Sequence, residues 1–138
     1  MEECIFCRIA SGKIPSAKIY EDKKAIAFLD IAPVNKGHAL VVPKKHFSDI
    51  SDIPEVDLKS VAAAAKKVAA ALKKSLKPEG INILQSNGRA AGQVVMHFHM
   101  HLIPRYEGDA AGFRWPKHAY KEGEMEKYRE KIAGAVKR

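Results

Sequence analysis

The sequence predicts an α+β domain built on a largely antiparallel, five-stranded sheet. Short apolar stretches bounded by turn residues predict the strands, and one long amphipathic segment predicts a helix that covers the sheet. A second amphipathic segment predicts a helix near the C-terminus. Several short strands with one long helix and a terminal helix are typical of this fold class. The length of 138 residues suits a single domain over residues 1–138 that can bury a core.

The first part of the chain predicts one short helical segment and three strands. Residues 8–16 predict a helix or turn that a glycine and a proline end. Residues 18–22 and 23–30 predict two strands around a polar turn. A second turn leads into an apolar strand over residues 38–43, which Pro43 stops. These three strands supply one half of the predicted sheet.

The second part of the chain predicts two strands and two helices. The long helix begins at Asp52 or Pro54 and ends at Leu76. Its apolar residues recur at every third or fourth position: Leu58, Val61, Ala65, Val68, Leu72 and Leu76. Residues 81–85 predict the fourth strand, and residues 122–136 predict the final helix, which either docks on the same protomer or on a partner.

The fifth predicted strand, residues 95–103, has three of the six histidines of the chain at alternate positions. Because side chains alternate between the faces of a strand, His97, His99 and His101 share one face, and Met96, Phe98, Met100 and Leu102 share the other. Alternate residues lie about 7 Å apart, so three such imidazoles cannot all bind one zinc ion. At least one histidine is therefore expected to be free for proton or group transfer. The alternative is three hydrogen-bonded histidines on a solvated sheet face.

Bulk properties restrict the class of protein. Hydrophobic residues make up 46% of the chain, and the sequence has neither a signal-peptide pattern at its start nor an apolar run long enough to span a membrane. We therefore expect a soluble, cytoplasmic protein with no membrane partner. The net charge is +8, but the lysines are spread along predicted helix faces without interleaved aromatic residues, so nucleic-acid binding is not the expected main function.

The only two cysteines, Cys4 and Cys7, form a C-x-x-C pair at the start of the chain. The pair is compatible with half of a zinc site, a redox motif or two reduced, buried thiols. A thioredoxin-like motif follows a strand and opens a helix inside the fold, and no strand precedes this pair. A zinc site requires two further ligands, for which histidines are the good candidates.

The run His97–His101, sequence HFHMH, resembles the His-x-His-x-His signature of the histidine triad (HIT) family. The similarity extends over residues 4–105 and includes residues 28–31 (FLDI), 37–46 (GHALVVPKKH) and 103–105 (IPR), in order and spacing. It implies the HIT fold for this core, a C-terminal loop and helix over residues 106–138, and a homodimer in which two sheets join.

The resemblance also implies roles for the histidines. His99 would attack the α-phosphorus of a nucleotide conjugate and form a nucleotidyl-histidine intermediate, which water then cleaves. His101 would stabilise charge or act as an acid, and His38 would support it as a fourth active-site imidazole. Some branches of the family have a structural zinc site that corresponds here to Cys4, Cys7, His46 and His97. No catalytic metal is required.

The implied substrate is a purine nucleoside 5'-monophosphate conjugate, with an AMP-amine phosphoramidate as first choice. The implied nucleotide site consists of Ile5, Phe6, Ile9, Phe28, Leu29, Asp30, Ile31, Asn87, Gly92, Gln93, His99 and His101. Ser86 and Val94 stand where Hint-type members carry asparagine and a phosphate-contacting serine, so Asn87 or backbone amides would replace those contacts. The alternatives are a dinucleoside polyphosphate hydrolase, a zinc-dependent hydrolase and a non-catalytic nucleotide- or RNA-binding scaffold.

Overall fold

The fold is described from a computed structural model that covers residues 3–112 and 114–137. In chain order, the helices are α1 (Ile5–Ala10), α2 (Glu55–Leu76) and α3 (Glu124–Ala135), with a 3-10 turn at Arg89–Ala91. The strands are β1 (Lys18–Glu21), β2 (Ala25–Leu29), β3 (Ala39–Pro43), β4 (Gly80–Leu84) and β5 (Met100–Arg105). They form one sheet in the order β1-β2-β3-β5-β4, in which every neighbouring pair is antiparallel. The predicted α+β class and the five-stranded antiparallel sheet are confirmed.

Both faces of the sheet are covered, and β2 shows how its sequence divides them. Ala25 and Ala27 pack into the core beneath α2, whereas Ile26 and Phe28 pack into a second cluster that contains Phe6 of α1. This is the two-residue alternation expected of a strand. β2 and β3 are buried on both faces, so their sequences AIAFL and ALVVP are almost continuously apolar.

The long helix α2 is amphipathic and alanine-rich, and it lies over one face of the sheet. Its buried apolar residues follow the helical period: Val61, Ala64, Ala65, Val68 and Leu72. Acidic residues occupy its first turn and lysines its last, as the helix dipole favours. Lys77 adopts a left-handed conformation with φ of 50° and ends the helix before Pro78. The helix thus begins and ends close to the predicted positions.

Two predicted elements have different bounds in the structure. The N-terminal helix occupies Ile5–Ala10 rather than residues 8–16, because the thiol of Cys4 accepts a hydrogen bond from the Cys7 amide and caps the helix earlier. The strand predicted over residues 95–103 begins only at Met100. Met96, predicted to lie in the core, is 40% exposed.

The C-terminal helix α3 forms near the predicted position and has no buried residue. Its apolar side chains Met125, Tyr128 and Ile132 are all more than half exposed. Among the described residues, no helix is both long enough and apolar enough to cross a membrane. In the part of one protomer that the structure describes, no element covers the apolar side of α3.

Candidate functional site

Two histidines of the triad, His97 and His99, lie where the chain approaches β5 but has not yet joined the sheet, and the third, His101, lies within β5 opposite Leu40 and Leu84. The Phe98 amide donates to the carbonyl of Phe47 at 2.6 Å, outside the pairing of β3 with β5. Phe98 packs under α2, whereas His97 and His99 lie on the opposite side in edge contact with the Phe6 ring, with ring centroids 5.8 and 5.2 Å away. The division of faces predicted from alternation therefore holds for these three residues, although they are not in a regular strand.

Four predicted metal ligands, Cys4, Cys7, His46 and His97, form one cluster whose ligand atoms lie within 4.8 Å of one another. The Sγ of Cys4 is 3.3 Å from His97 Nδ1, and the Sγ of Cys7 is 3.4 Å from His46 Nδ1 and 3.5 Å from His97 Nδ1. In a tetrahedral zinc site with ordinary bond lengths, sulfur and nitrogen ligands lie about 3.6 Å apart. The cluster therefore has the ligand types and the spacing for one zinc ion.

Hydrogen bonding and burial in this cluster also fit a metal. His97 is fully buried, and its Nε2 lies 2.8 Å from the carbonyl oxygen of Pro43. A carbonyl only accepts, so Nε2 carries the proton and the Nδ1 lone pair faces the thiols. Burial lowers the pKa of His97 to about 4 and, with Cys4 nearby, raises the pKa of the Cys7 thiol to about 11. A bound cation would displace that thiol proton, as zinc binding ordinarily does.

His99 has the geometry of a neutral nucleophile. Its Nδ1 lies 2.7 Å from the backbone oxygen of His97, so Nδ1–H donates to that carbonyl and the Nε2 lone pair is left available. The residue is 7% exposed. Burial lowers its pKa, with partial opposition from the His97 hydrogen bond and the Asp30 charge. The imidazole is therefore uncharged at neutral pH, as nucleophilic attack requires.

His38, His101 and Asp30 form a second group beside His99. The Val34 amide donates to His38 Nδ1 at 3.0 Å, so the proton of neutral His38 is on Nε2. That Nε2 lies 2.9 Å from His101 Nδ1 and 3.7 Å from an Asp30 oxygen. His38 therefore donates to His101 Nδ1, and the proton of neutral His101 is on Nε2, free to donate to a ligand.

The residues predicted to enclose a base are only partly brought together. Phe6 and Phe28 form an edge contact at 5.5 Å on the histidine side of the sheet, and Ile9 packs against their cluster. Ile5 is 47% exposed and Ile31 fully exposed at the rim. Leu29 is a correction: it packs against the core beneath α2, on the other face of the sheet. The orientation of Leu29 could have been predicted from the sequence, because adjacent strand residues such as Phe28 and Leu29 point to opposite faces.

The loop before the triad is held together by its own side chains. Gln93 is 2% exposed; its Oε1 accepts from the Gly88 amide, and its Nε2 donates to the carbonyls of Ser48 and Val95. Asn87 hydrogen-bonds to Gln85 and accepts from the Ile50 amide.

Both amide hydrogens of Gln93 are therefore used within the protein, and the side chain orders the loop. Gly92 has φ of 95°, a left-handed conformation that suits glycine. Val94 is 87% exposed, and Ser86 is half-buried.

Sequence reasoning missed three backbone groups that complete the site: the amide of Val34 and the carbonyls of Pro43 and His97. It also missed Asp109, which accepts hydrogen bonds from Asn35, the Arg105 side chain and the Tyr106 amide. The three backbone groups could not be predicted, because every residue type has a backbone carbonyl and nearly every one has a backbone amide. Asp109 lies beyond the segment on which the resemblance was based.

Comparison with known proteins agrees with this geometry. Residues 11–108 match the sequence model of the HIT domain. The chain is 40% identical over 135 residues to a Schizosaccharomyces pombe protein named adenosine 5'-monophosphoramidase hnt1, covering 97% of this chain and 98% of that one.

Two solved structures extend the comparison. A crystal structure of a HIT family member from Bacillus subtilis superposes with a TM-score of 0.92 at 44% identity, covering 99% of both chains. A zinc-bound histidine triad family protein from Mycobacterium smegmatis superposes with a TM-score of 0.77 at 40% identity, covering 85% of both chains. The match over most of the chain, together with the arrangement of the histidines, shows that this protein belongs to the histidine triad family.

Proposed function

We propose that this protein hydrolyses nucleoside 5'-monophosphate conjugates at the α-phosphorus, with His99 as the nucleophile. The observation that carries the proposal is the hydrogen bond from His99 Nδ1 to the His97 carbonyl, which leaves the Nε2 lone pair available in a buried, neutral imidazole. The name of the Schizosaccharomyces pombe relative supports an AMP phosphoramidate as the substrate. We extend this to purine conjugates in general.

In the first step, His99 Nε2 forms a bond to the α-phosphorus, and the bond from phosphorus to the leaving nitrogen breaks. The leaving nitrogen takes a proton from water, and the nucleotide remains bonded to His99 Nε2. The His97 carbonyl stabilises the positive charge on the substituted His99 ring. His101 Nε2–H donates to a phosphoryl oxygen and stabilises the charge that develops there.

In the second step, the hydroxyl group left from that water adds to phosphorus, and the bond to His99 Nε2 breaks. Over both steps, one water molecule gives its proton to the leaving amine and its hydroxyl group to phosphorus. His99 returns to its starting form, and neither His38 nor His101 changes its net protonation. Splitting one displacement into two is the advantage that a covalent intermediate offers.

The remaining site residues position the substrate. The Asp30 carboxylate is 21% exposed beside His38, and its Oδ1 accepts from the Ala32 amide, which leaves Oδ2 to accept from ribose hydroxyls. The base would lie against Ile5, Ile9 and the Phe6 edge. A zinc ion in the Cys4, Cys7, His46 and His97 cluster would supply structural stability by fixing α1 to the sheet.

The test is intact-protein mass spectrometry after brief mixing with adenosine 5'-phosphoramidate. Wild-type protein should gain a transient adenylyl adduct and release AMP, and His99→Ala should do neither. His118→Ala is the matched control because His118 is exposed and outside both histidine clusters; it should behave as wild type. An adduct that persists in His99→Ala would refute the assigned nucleophile.

The same assay separates the alternatives. Release of AMP from diadenosine polyphosphates in preference to the phosphoramidate would assign the dinucleoside polyphosphate reaction. Nucleotide binding without adduct or AMP release, in a folded and zinc-loaded protein, would instead indicate a binding or scaffold role.

A further inference from the structure

Within residues 3–112 and 114–137, two histidine-containing clusters have ligand atoms close enough to hold a cation. One is the Cys4, Cys7, His46 and His97 cluster, and the other comprises Asp30, His38 and His101. Two imidazoles and a carboxylate are a common set of ligands for zinc and similar divalent ions. A second cation there would block the nucleotide reaction, because it would take the groups assigned to ribose and phosphate.

Each cluster contains a histidine with a ring nitrogen that points away from the other ligand atoms, here called the far nitrogen. The hydrogen-bond partner of that nitrogen differs between the two clusters. In His97 the far nitrogen, Nε2, lies 2.8 Å from a carbonyl acceptor, so the near nitrogen has a free lone pair. In His38 the far nitrogen, Nδ1, is 3.0 Å from the Val34 amide, which is a donor. A neutral imidazole has one N–H, so the nitrogen of His38 that faces Asp30 and His101 is the protonated one.

We propose that the Val34 backbone amide keeps divalent cations out of the active site by fixing the tautomer of His38. A cation that binds His38 Nε2 would move the proton to Nδ1, where it would face the Val34 N–H at hydrogen-bond distance. Two donors would then oppose each other in a buried place, at the cost of the lost hydrogen bond and of an unsatisfied donor. The same amide orders the pair for the proposed reaction, because it makes His38 a donor to His101.

The turn that carries this amide is well anchored. Asp30 Oδ1 accepts from the Ala32 amide at 2.9 Å at one end of the turn. At the other end, Asn35 Nδ2 donates to the Pro104 carbonyl and to Asp109, each at 2.9 Å. Asp109 is itself held by Arg105 in a salt bridge of 2.7 Å. The amide therefore cannot turn away from His38 without breaking several hydrogen bonds.

The test counts bound zinc by elemental analysis after equilibrium dialysis against Zn²⁺, comparing Val34→Pro with Val34→Ala. Proline removes the N–H, and alanine retains it. Val34→Pro should hold one more zinc ion per chain than Val34→Ala or wild type. Adding His38→Gln to Val34→Pro should remove that extra ion. Equal zinc counts in two folded variants would refute the proposal.

A second measurement needs no variant. Long-range ¹H–¹⁵N correlation spectra of wild-type protein report which nitrogen of each histidine is protonated. His38 should have an unprotonated Nδ1 and a protonated Nε2, and the opposite tautomer would refute the proposal even if Val34→Pro failed to fold. Neither measurement involves turnover, so the outcome is separate from whether the protein cleaves phosphoramidates.

Discussion

At the scale of single residues, four histidines are distinguished by the groups that hydrogen-bond to their rings. A carbonyl acceptor at one ring nitrogen of His97 and of His99 leaves the other nitrogen with a free lone pair, as the proposed ligand and the proposed nucleophile require, whereas an amide donor makes His38 a proton donor to His101. Intrinsic imidazole chemistry is the same in each case. The backbone around each ring therefore determines what that ring does.

His101 is one of several buried or half-buried histidines expected to make stability depend on pH. Burial, together with the charges of His99 and His38, lowers the pKa of His101 from 6.5 to about 4. Between these values the unfolded chain binds the proton and the folded protein does not, so the free energy of unfolding falls as the pH falls. One such site contributes up to about 1.4 kcal/mol per pH unit.

Replacing His101 by glutamine should therefore make stability less sensitive to acid. Urea denaturation at pH 7, 6 and 5 would measure this, and wild type should lose more stability than His101→Gln over that range. Acid release of metal affects both proteins and cancels in the comparison. Identical pH slopes would contradict a depressed pKa at His101.

How far the site was predictable from sequence depends on the kind of group involved. The histidines and cysteines have recognisable spacings, and all four predicted metal ligands meet in space. The hydrogen bonds by which Gln93 orders the loop could not be predicted, because a buried amide that orders a loop and an exposed one that contacts a ligand have the same sequence context. The Val34 amide could not be predicted, because its role depends on the path of the turn rather than on the valine side chain.

At the scale of elements, α1 is expected to depend for its position on the candidate zinc cluster of Cys4, Cys7, His46 and His97. The helix has six residues, too few to be stable alone in water. It is attached through Phe6, which packs against Phe28, and through Cys4 and Cys7 in the cluster. Because Phe6 also contacts His99, a displaced α1 would loosen the nucleophile.

Removal of metal should consequently lower stability before it affects the chemistry. A loss of about 2 kcal/mol corresponds to a fall of roughly 5–10 °C in melting temperature for a chain of this size. We expect a chelator to produce a fall of this order in calorimetry, and to have no effect on a Cys4→Ser, Cys7→Ser variant. Complete loss of turnover at temperatures where the chelated protein remains folded would point to a catalytic metal instead.

The turn between β2 and β3 depends on Gly37. Its φ is 94°, and a Cβ at this position would collide with the Leu76 side chain at the end of α2. Gly12 has a similar φ of 79° but open space around it. A left-handed conformation costs a residue with a side chain on the order of 1–3 kcal/mol, and overpacking adds a similar amount.

Gly37→Ala should thus be less stable than Gly12→Ala by about 1 kcal/mol or more. Urea denaturation of the two variants measures the difference directly, and the shared backbone strain cancels. Equal losses would mean that Leu76, which is 43% exposed, moves aside at no cost.

The helices and strands could be predicted where the periodicity of apolar residues coincides with the observed helix or strand pairing. β2, β3 and α2 follow their apolar patterns, and the structure has them almost where predicted. The triad segment alternates like a strand, yet β4 ends at Leu84 opposite His101, so earlier residues have no partner strand on that side. Alternation predicts which way side chains point but not where pairing begins.

At the scale of the whole molecule, the uncovered apolar surfaces lead us to expect a homodimer. The sheet has two edges. Within the edge strand β1, Lys18 and Glu21 carry charges and form ion pairs, Glu21 with both Lys18 and Lys44, and such charges discourage pairing with another strand. β4 is apolar, and its Ile83 is 52% exposed. We therefore expect two protomers to pair along β4.

Light scattering should give a mass near twice the 15.2 kDa of one chain. Ile83→Lys, on β4, should shift the protein towards monomer at micromolar concentration. Ile132→Glu, on α3, places a charge at another exposed isoleucine and tests whether that helix contributes. A monomeric wild type would contradict the expected dimer, and a dimer broken only by Ile132→Glu would place the interface on α3 instead.

The double use of position 97 has a consequence for how such a sequence can evolve. The ring of His97 belongs to the metal cluster, but its backbone carbonyl orients His99. A lineage that lost Cys4 and Cys7 would lose the candidate zinc site and keep that hydrogen bond, as long as other packing preserved the course of the backbone. Natural selection could thus exchange the means of holding the N-terminal helix while the orientation of His99 is inherited unchanged.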